Sequence, residues 1–174
     1  MGPAPRTVVR MEIRLASFDD IPAVVALSSG LFAEDGGLRD AYLDVGWPAR
    51  EGHRYYRAVL TTHGAACWIA VEDGRTIGYL VARVNGPYPT RPIKVAELEN
   101  VFVEPDARDK GVGTGLVLTF ARWAASQGAR RMSVTAYAAN ERAIAFYRRH
   151  GFEPKSLSLE SAVEPGQAAD PVAP

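Results

Sequence analysis

The chain has 174 residues, enough for one domain with a proper core and too few for two of ordinary size. Its 20 Lys and Arg balance 20 Asp and Glu, so no global field argues for nucleic acid or a membrane surface, and a charged partner must be met locally. The single cysteine, Cys67, excludes an internal disulfide and a thiolate zinc cluster, and no stretch approaches the apolar length of a membrane span, so the sequence reads as cytoplasmic.

Residues 1–10 are rich in Pro, lack the apolar run of a signal peptide and read as a flexible leader. Residues 12–16 alternate as a short strand. Ser17 or Asp19 then caps a helix whose apolar positions Ile21, Val24, Val25, Leu27 and Leu31 keep helical spacing, and Gly36 with Gly37 should end it. A second helical region covers about residues 38–62, interrupted near Gly46 and Trp47, where Pro48 suits the first turn of a new helix. Strands over 66–71 and 76–84 flank an Asp73-Gly74 hairpin turn. Residues 85–92 hold Pro87, Pro89 and Pro92 and form a loop rather than a central strand.

A strand over 94–103, a helix over 113–127 stopped by Gly128, and a strand over 131–137 predict a parallel crossover. Asn140 caps the last helix, with Arg148, Arg149 and His150 in its final turn and Gly151 ending it. Residues 156–163 alternate as a final strand, and 164–174 read as a disordered tail. The order is β-α-α-β-β-β-α-β-α-β, a single domain over 11–163.

The most informative stretch runs from Glu97 to Gly115, reading ELENVFVEPDARDKGVGTG. A strand that feeds a glycine-rich turn at a helix N-terminus presents free backbone amides and the positive end of the helix dipole, which suits a phosphate. A Walker A loop fails, because Gly113 and Gly115 are followed by Thr114 and Leu116 rather than Lys-Ser/Thr. A dinucleotide fingerprint fails as well: Gly111, Gly113 and Gly115 take the first, third and fifth places, and no acid lies between Gly111 and Asn140 to hold a ribose.

The run Arg108-Asp109-Lys110-Gly111-Val112-Gly113 resembles the acetyl-coenzyme A pyrophosphate loop of the GNAT superfamily of N-acetyltransferases. The segment from Asn140 to Phe152, with Ala143, Tyr147 and Gly151 at matching places, resembles a second block of that family in the family's order. The resemblance spans about residues 11–160. It implies an α/β fold, the acyl-CoA N-acyltransferase type, in which a mixed and centrally splayed β-sheet is flanked by helices. It also implies acetyl-CoA as co-substrate: pyrophosphate on the backbone of Arg108, Asp109, Lys110, Gly111, Val112, Gly113 and Thr114, and the pantetheine arm along Val101, Phe102 and Val103. Asn140 and Ala143 approach from the far side. Asp109 departs from the small or basic residue common at its place.

The resemblance makes Tyr147 the general acid for the departing thiolate. A thiol near 8.5 and a tyrosine near 10 leave full proton transfer uphill by roughly 2 kcal/mol, so a hydrogen bond in the transition state is its main expected contribution. Only about one in a thousand lysine-like amines is free base at neutral pH, a cost of roughly 4–5 kcal/mol, so a base is useful. Glu97, at the place where histone-type members carry their catalytic glutamate, and Glu99 on the same strand are the candidates. Cys67 has no His or acid nearby in sequence and reads as a small buried residue. His53, His63 and His150 are unclustered and suggest no metal site. The expected activity is transfer of an acetyl group to a primary amine by direct attack in a ternary complex. A coenzyme-binding regulatory module without turnover and O-acyl transfer to a hydroxyl stand as alternatives. The expected partners are acetyl-CoA and an amine, with a homodimer admissible, and neither nucleic acid nor membrane.

Overall fold

A computed structural model describes residues 11–163. The expected leader over 1–10 and tail over 164–174 lie outside the described residues. Five strands form one sheet in chain order: β1 (Met11–Leu15), β2 (Ala65–Glu72), β3 (Arg75–Asn85), β4 (Val95–Val103) and β5 (Arg131–Val134). The first four pair antiparallel, and β5 joins β4 in parallel after the crossover helix α3 (Val112–Ser126). The sheet is therefore mixed, as expected.

Alternation along the strands gives the sheet two apolar faces. Trp68, Ala70, Leu80, Ala82, Ala96 and Leu98 pack with Leu116, Val117 and Phe120 of α3 and with Tyr147 of α4 (Glu141–Arg149). Cys67, Ile69, Tyr79, Val81 and Phe102 pack on the opposite face, with Val24 and Leu27 of α1 (Ile21–Leu38) and Tyr56 and Val59 of α2 (Trp47–Thr61). Two helices thus cover each face.

As expected of Ser17, it is the N-cap of the single 3-10 turn, Phe18–Asp20, that leads into α1; the Asp20 carboxylate closes the capping box by accepting from the Ser17 amide and hydroxyl, each at 2.7 Å, and Asp20 is in turn the N-cap of α1. Four expectations are corrected. The helix runs through Gly36 and Gly37 to Leu38, and Gly36 does not take the left-handed conformation that stops a helix. Residues 39–46 are turns, and helix resumes only at Trp47, with Pro48 in the first turn as expected.

Strand β5 stops at Val134 rather than at 137, since there it parts from β4. Residues 156–163 form no strand; Leu157, Leu159 and Val163 are exposed and the segment makes no backbone ladder bond. Alternation states which face of a strand would be apolar, but a strand also needs a paired edge.

Candidate active site

The site begins with a one-residue irregularity. Val81 faces Asn100 while Ala82 faces Leu98, so Glu99 is an extra residue, a bulge, in β4. The parallel pairing of β4 with β5 ends at Leu98 and Val134, immediately before this bulge. Beyond it β4 continues to Val103 paired with β3 alone, and the two central strands part like a fork. From Leu98 to Val103 the open edge is about 17 Å long, in the range of an extended acyl-pantetheine arm.

At the end of the open edge the chain turns through Pro105–Ala107 into the glycine loop. Asp109 and Gly111 both have left-handed backbone, φ 61° and 84°, which curls the loop; glycine adopts this conformation at 111 without strain, and the constraint there is backbone rather than contact, since an added Cβ would meet nothing within 4 Å. At Gly113 the constraint is contact, because an added Cβ would lie 3.3 Å from the Phe146 ring of α4. No amide from 109 to 114 has a backbone acceptor among the described residues. These donors converge at the N-terminus of α3, an arrangement able to hold a polyanion.

The side chains of the loop are less free than the sequence suggests. The Arg108 guanidinium bonds to Glu34 of α1 and, at 2.8 Å, to the Val103 carbonyl, and it stacks over the Phe102 ring at 5.3 Å. Asp109 pairs with Arg142 of α4 at 2.9 Å, an exposed pair of small energetic weight. Lys110 and Thr114 are exposed. Val112 is 2% exposed, so only its amide is available to a ligand. Phe102 likewise turns its ring away, toward α1, where Gly30 leaves room; a Cβ at 30 would meet the ring at 2.9 Å.

Helix α4 brings the second block to the opposite side of the fork. The Asn140 carboxamide oxygen accepts from the Ala143 amide at 3.1 Å, an ordinary N-cap that leaves the Asn140 NH2 free to reach outward. Tyr147 is nearly buried, edge-on between Phe146 and Phe152 at 5.4 and 5.7 Å. Burial, then the nearby Asp35 carboxylate, push its phenol up to about 12, so it is a proton donor throughout the neutral range.

On the α1–α2 face the two glutamates part company. Glu99 accepts from Arg83 Nε at 2.8 Å and from the Tyr55 hydroxyl at 3.0 Å, and Tyr55 is pushed up by burial and by this carboxylate. Among the described residues Glu97 accepts only from Asn85 Nδ2, at 2.8 Å, and faces Ser133 one residue pair before the fork. It lines a cleft of about 330 Å³ together with Asn85, Tyr88, Arg91 and Ser133. The loop over 85–92 supplies one wall of it. A cleft of about 380 Å³ lies at the other edge of the sheet, between β1, β2 and α3, with Arg122 as its one charged lining residue. Cys67 is 1% exposed, and burial pushes its thiol up to about 12, far from an activated nucleophile. Among the described residues no three His, Cys, Asp or Glu side chains gather to hold a metal.

Sequence reasoning did not find Glu34, Tyr55, Arg83, Asn85, Arg91 or Ser133. Tyr55 and Glu99 are 44 residues apart and Arg108 and Glu34 are 74 apart, and no local pattern marks such pairs.

The fold recurs among solved structures. An aminoglycoside N-acetyltransferase solved with coenzyme A matches with TM-score 0.76 at 23% identity, over 92% of this chain and 99% of that one. A mutant BH1408 protein of Bacillus halodurans matches with TM-score 0.80 at 18% identity, over 88% and 99%. Among curated proteins, an uncharacterised N-acetyltransferase of Methanocaldococcus jannaschii is 28% identical over 103 residues, 59% of this chain and 46% of that protein. The type 1 aminoglycoside N(6')-acetyltransferase of Salmonella typhimurium is 30% identical over 97 residues, 55% and 67%. The chain thus spans less than half the length of the archaeal relative. A family model described as the acetyltransferase (GNAT) family matches residues 37–152, which take in the fork, the glycine loop and Tyr147, and the chain belongs to that family.

Proposed function

We propose that the protein is an N-acetyltransferase that passes an acetyl group from acetyl-CoA to a primary amine within a ternary complex. The observation that carries this reading is the fork: an open β4 edge of arm length that ends at a loop of unbonded amides. The pantetheine arm lies along Val101 and Val103 as a missing strand. The pyrophosphate rests on the amides of 109–114, with Lys110 adding charge and Asn140 and Ala143 closing the far side.

In the reaction the amine nitrogen attacks the thioester carbon; a C–N bond forms, the C–S bond breaks, and the tetrahedral oxyanion is held by a β4 amide. Glu97, with one oxygen free of partners, takes the amine proton directly or through water. Tyr147 donates to the departing thiolate. Glu99 serves as a positioning residue, because its carboxylate is already shared by Arg83 and Tyr55.

Among the described residues no helix is long and apolar enough to cross a membrane, and the lone buried thiol suits a reducing compartment; we place the reaction in the cytoplasm. Calorimetric titration with acetyl-CoA, followed by a thiol-release screen across amine classes, tests the reading. Coenzyme binding without thiol release from any amine would favour a regulatory module instead, and release with alcohols alone would favour O-acyl transfer.

A further inference from the structure

Charge accounting on the acceptor side narrows the class of amine. Four arginines among the described residues are half-buried: Arg39, Arg83, Arg91 and Arg108. Three of them carry a carboxylate, in the pairs Arg39–Asp35, Arg83–Glu99 and Arg108–Glu34. Arg91 has no carboxylate partner among the described residues, so its charge is not taken up by another side chain there. It is also held in place, since its backbone exchanges hydrogen bonds with Tyr88 at 2.9 and 3.0 Å across a small hairpin bridge.

Arg91 lines the same cleft as Glu97, whose second oxygen is equally without a partner. Among the described residues the cleft therefore presents one cation and one anion without a charge partner, with Ser133, Tyr88 and Asn85 as neutral polar lining groups. Its volume of about 330 Å³ fits a molecule of amino-acid or dipeptide size. A polycationic acceptor would need several free carboxylates here, and Glu99 is already neutralised by Arg83.

We infer that the acceptor is a small amino-carboxylate, its ammonium directed to Glu97 and its carboxylate held bidentate by Arg91. This rests on the transferase reading above. Arg91 is then the residue that determines specificity, acting on acceptor binding and not on the chemistry at the thioester.

The test is steady-state thiol release with acetyl-CoA and a matched series: free amino acids and dipeptides, their carboxamides, phosphoethanolamine, and an aminoglycoside. The wild-type protein should prefer acids to their amides by about 10- to 100-fold in kcat/KM, the difference residing in KM. Arg91→Gln should lower the rate with acids to that with the amides, and Arg91→Lys should restore part of the preference, which a folding defect would not do. Equal rates for acid and amide, a preference for the aminoglycoside or for phosphoethanolamine, or an acid preference surviving in Arg91→Gln would each overturn the assignment while leaving the transferase intact. Binding of acetyl-CoA with no acetylation of any amine would instead remove the transferase reading, and this inference with it.

Discussion

Replacing Tyr147 by Phe removes one oxygen from a side chain whose ring packing is otherwise preserved. Among the described residues the hydroxyl has no hydrogen-bond partner, and burial and the Asp35 charge act on it. Its removal should therefore change folding stability by no more than about 0.5 kcal/mol. In the proposed mechanism the hydroxyl donates to a developing thiolate in the transition state, and a hydrogen bond to a charged group is worth about 1.5–3 kcal/mol, or roughly 10- to 150-fold in rate. With the phenol at about 12 and the thiol near 8.5, full proton transfer would be uphill by about 5 kcal/mol, so the effect is that of a hydrogen bond. Single-turnover thiol release should fall by this factor while acetyl-CoA affinity, read by calorimetry, stays within about twofold. Because the phenol remains protonated below about 12, the ratio of mutant to wild-type rate should be flat from about pH 6 to 9. Wild-type single-turnover rates in the mutant, or a loss located in coenzyme affinity, would reduce Tyr147 to a packing residue.

Gly113→Val should weaken acetyl-CoA binding by at least about 100-fold while costing about 1–3 kcal/mol of stability, because its Cβ crowds Phe146 beside the amide cradle; unchanged affinity by calorimetry would remove the pyrophosphate assignment. Glu97→Gln should slow turnover most at neutral pH and progressively less as rising pH supplies free amine, whereas Glu99→Gln, which strips the countercharge from half-buried Arg83, should show a loss independent of pH; matching pH–rate profiles for the two would refute this division of roles. Asp20 is held below the usual carboxylate range by Arg14, against some opposing burial, and by the Ser17 amide and hydroxyl. A depressed carboxylate contributes stability above its unfolded pKa and loses it as pH falls, so Asp20→Asn should cost about 1–2 kcal/mol by urea unfolding at pH 7, with the difference narrowing below about pH 4; a difference constant with pH would refute the ion-pair account.

What could be read from the sequence was local. The glycine loop and the helix carrying Tyr147 were legible because turn residues and an N-cap sit at fixed offsets from apolar periods, and these offsets survive folding. Strand β4 was found to within one residue, from 94–103 to Val95–Val103. The bulge at Glu99 was not legible, since an extra residue in a strand is defined only against the register of its neighbour. For that reason the sequence treats Glu97 and Glu99 as equivalent steps along one strand, about 6–7 Å apart, while the fold gives one to a cleft and the other to Arg83 and Tyr55. The stop expected at Gly36 failed because glycine permits a left-handed turn without requiring one. The expected strand over 156–163 failed for lack of a partner edge, which no property of that segment could announce.

The open side of β4 has a further meaning for the protein before it meets its coenzyme. A row of unpaired peptide groups in the middle of a sheet can template another chain, the hazard that natural sheets counter with charge at their edges. Arg108 fills that role here, for its guanidinium sits on the Val103 carbonyl at the mouth of the fork and is itself tethered by Glu34. An intruding strand would have to evict a cation from a carboxylate to enter. On the proposed function, acetyl-CoA would bring anionic phosphates of its own and offer Arg108 an exchange of partners, so a gatekeeper against a polypeptide would be one that the coenzyme can move. Saturation with coenzyme at about 100 times Kd would add about 2.7 kcal/mol to the folded state. The ligand-free protein is correspondingly the form expected to self-associate more readily, which light scattering with and without acetyl-CoA would check.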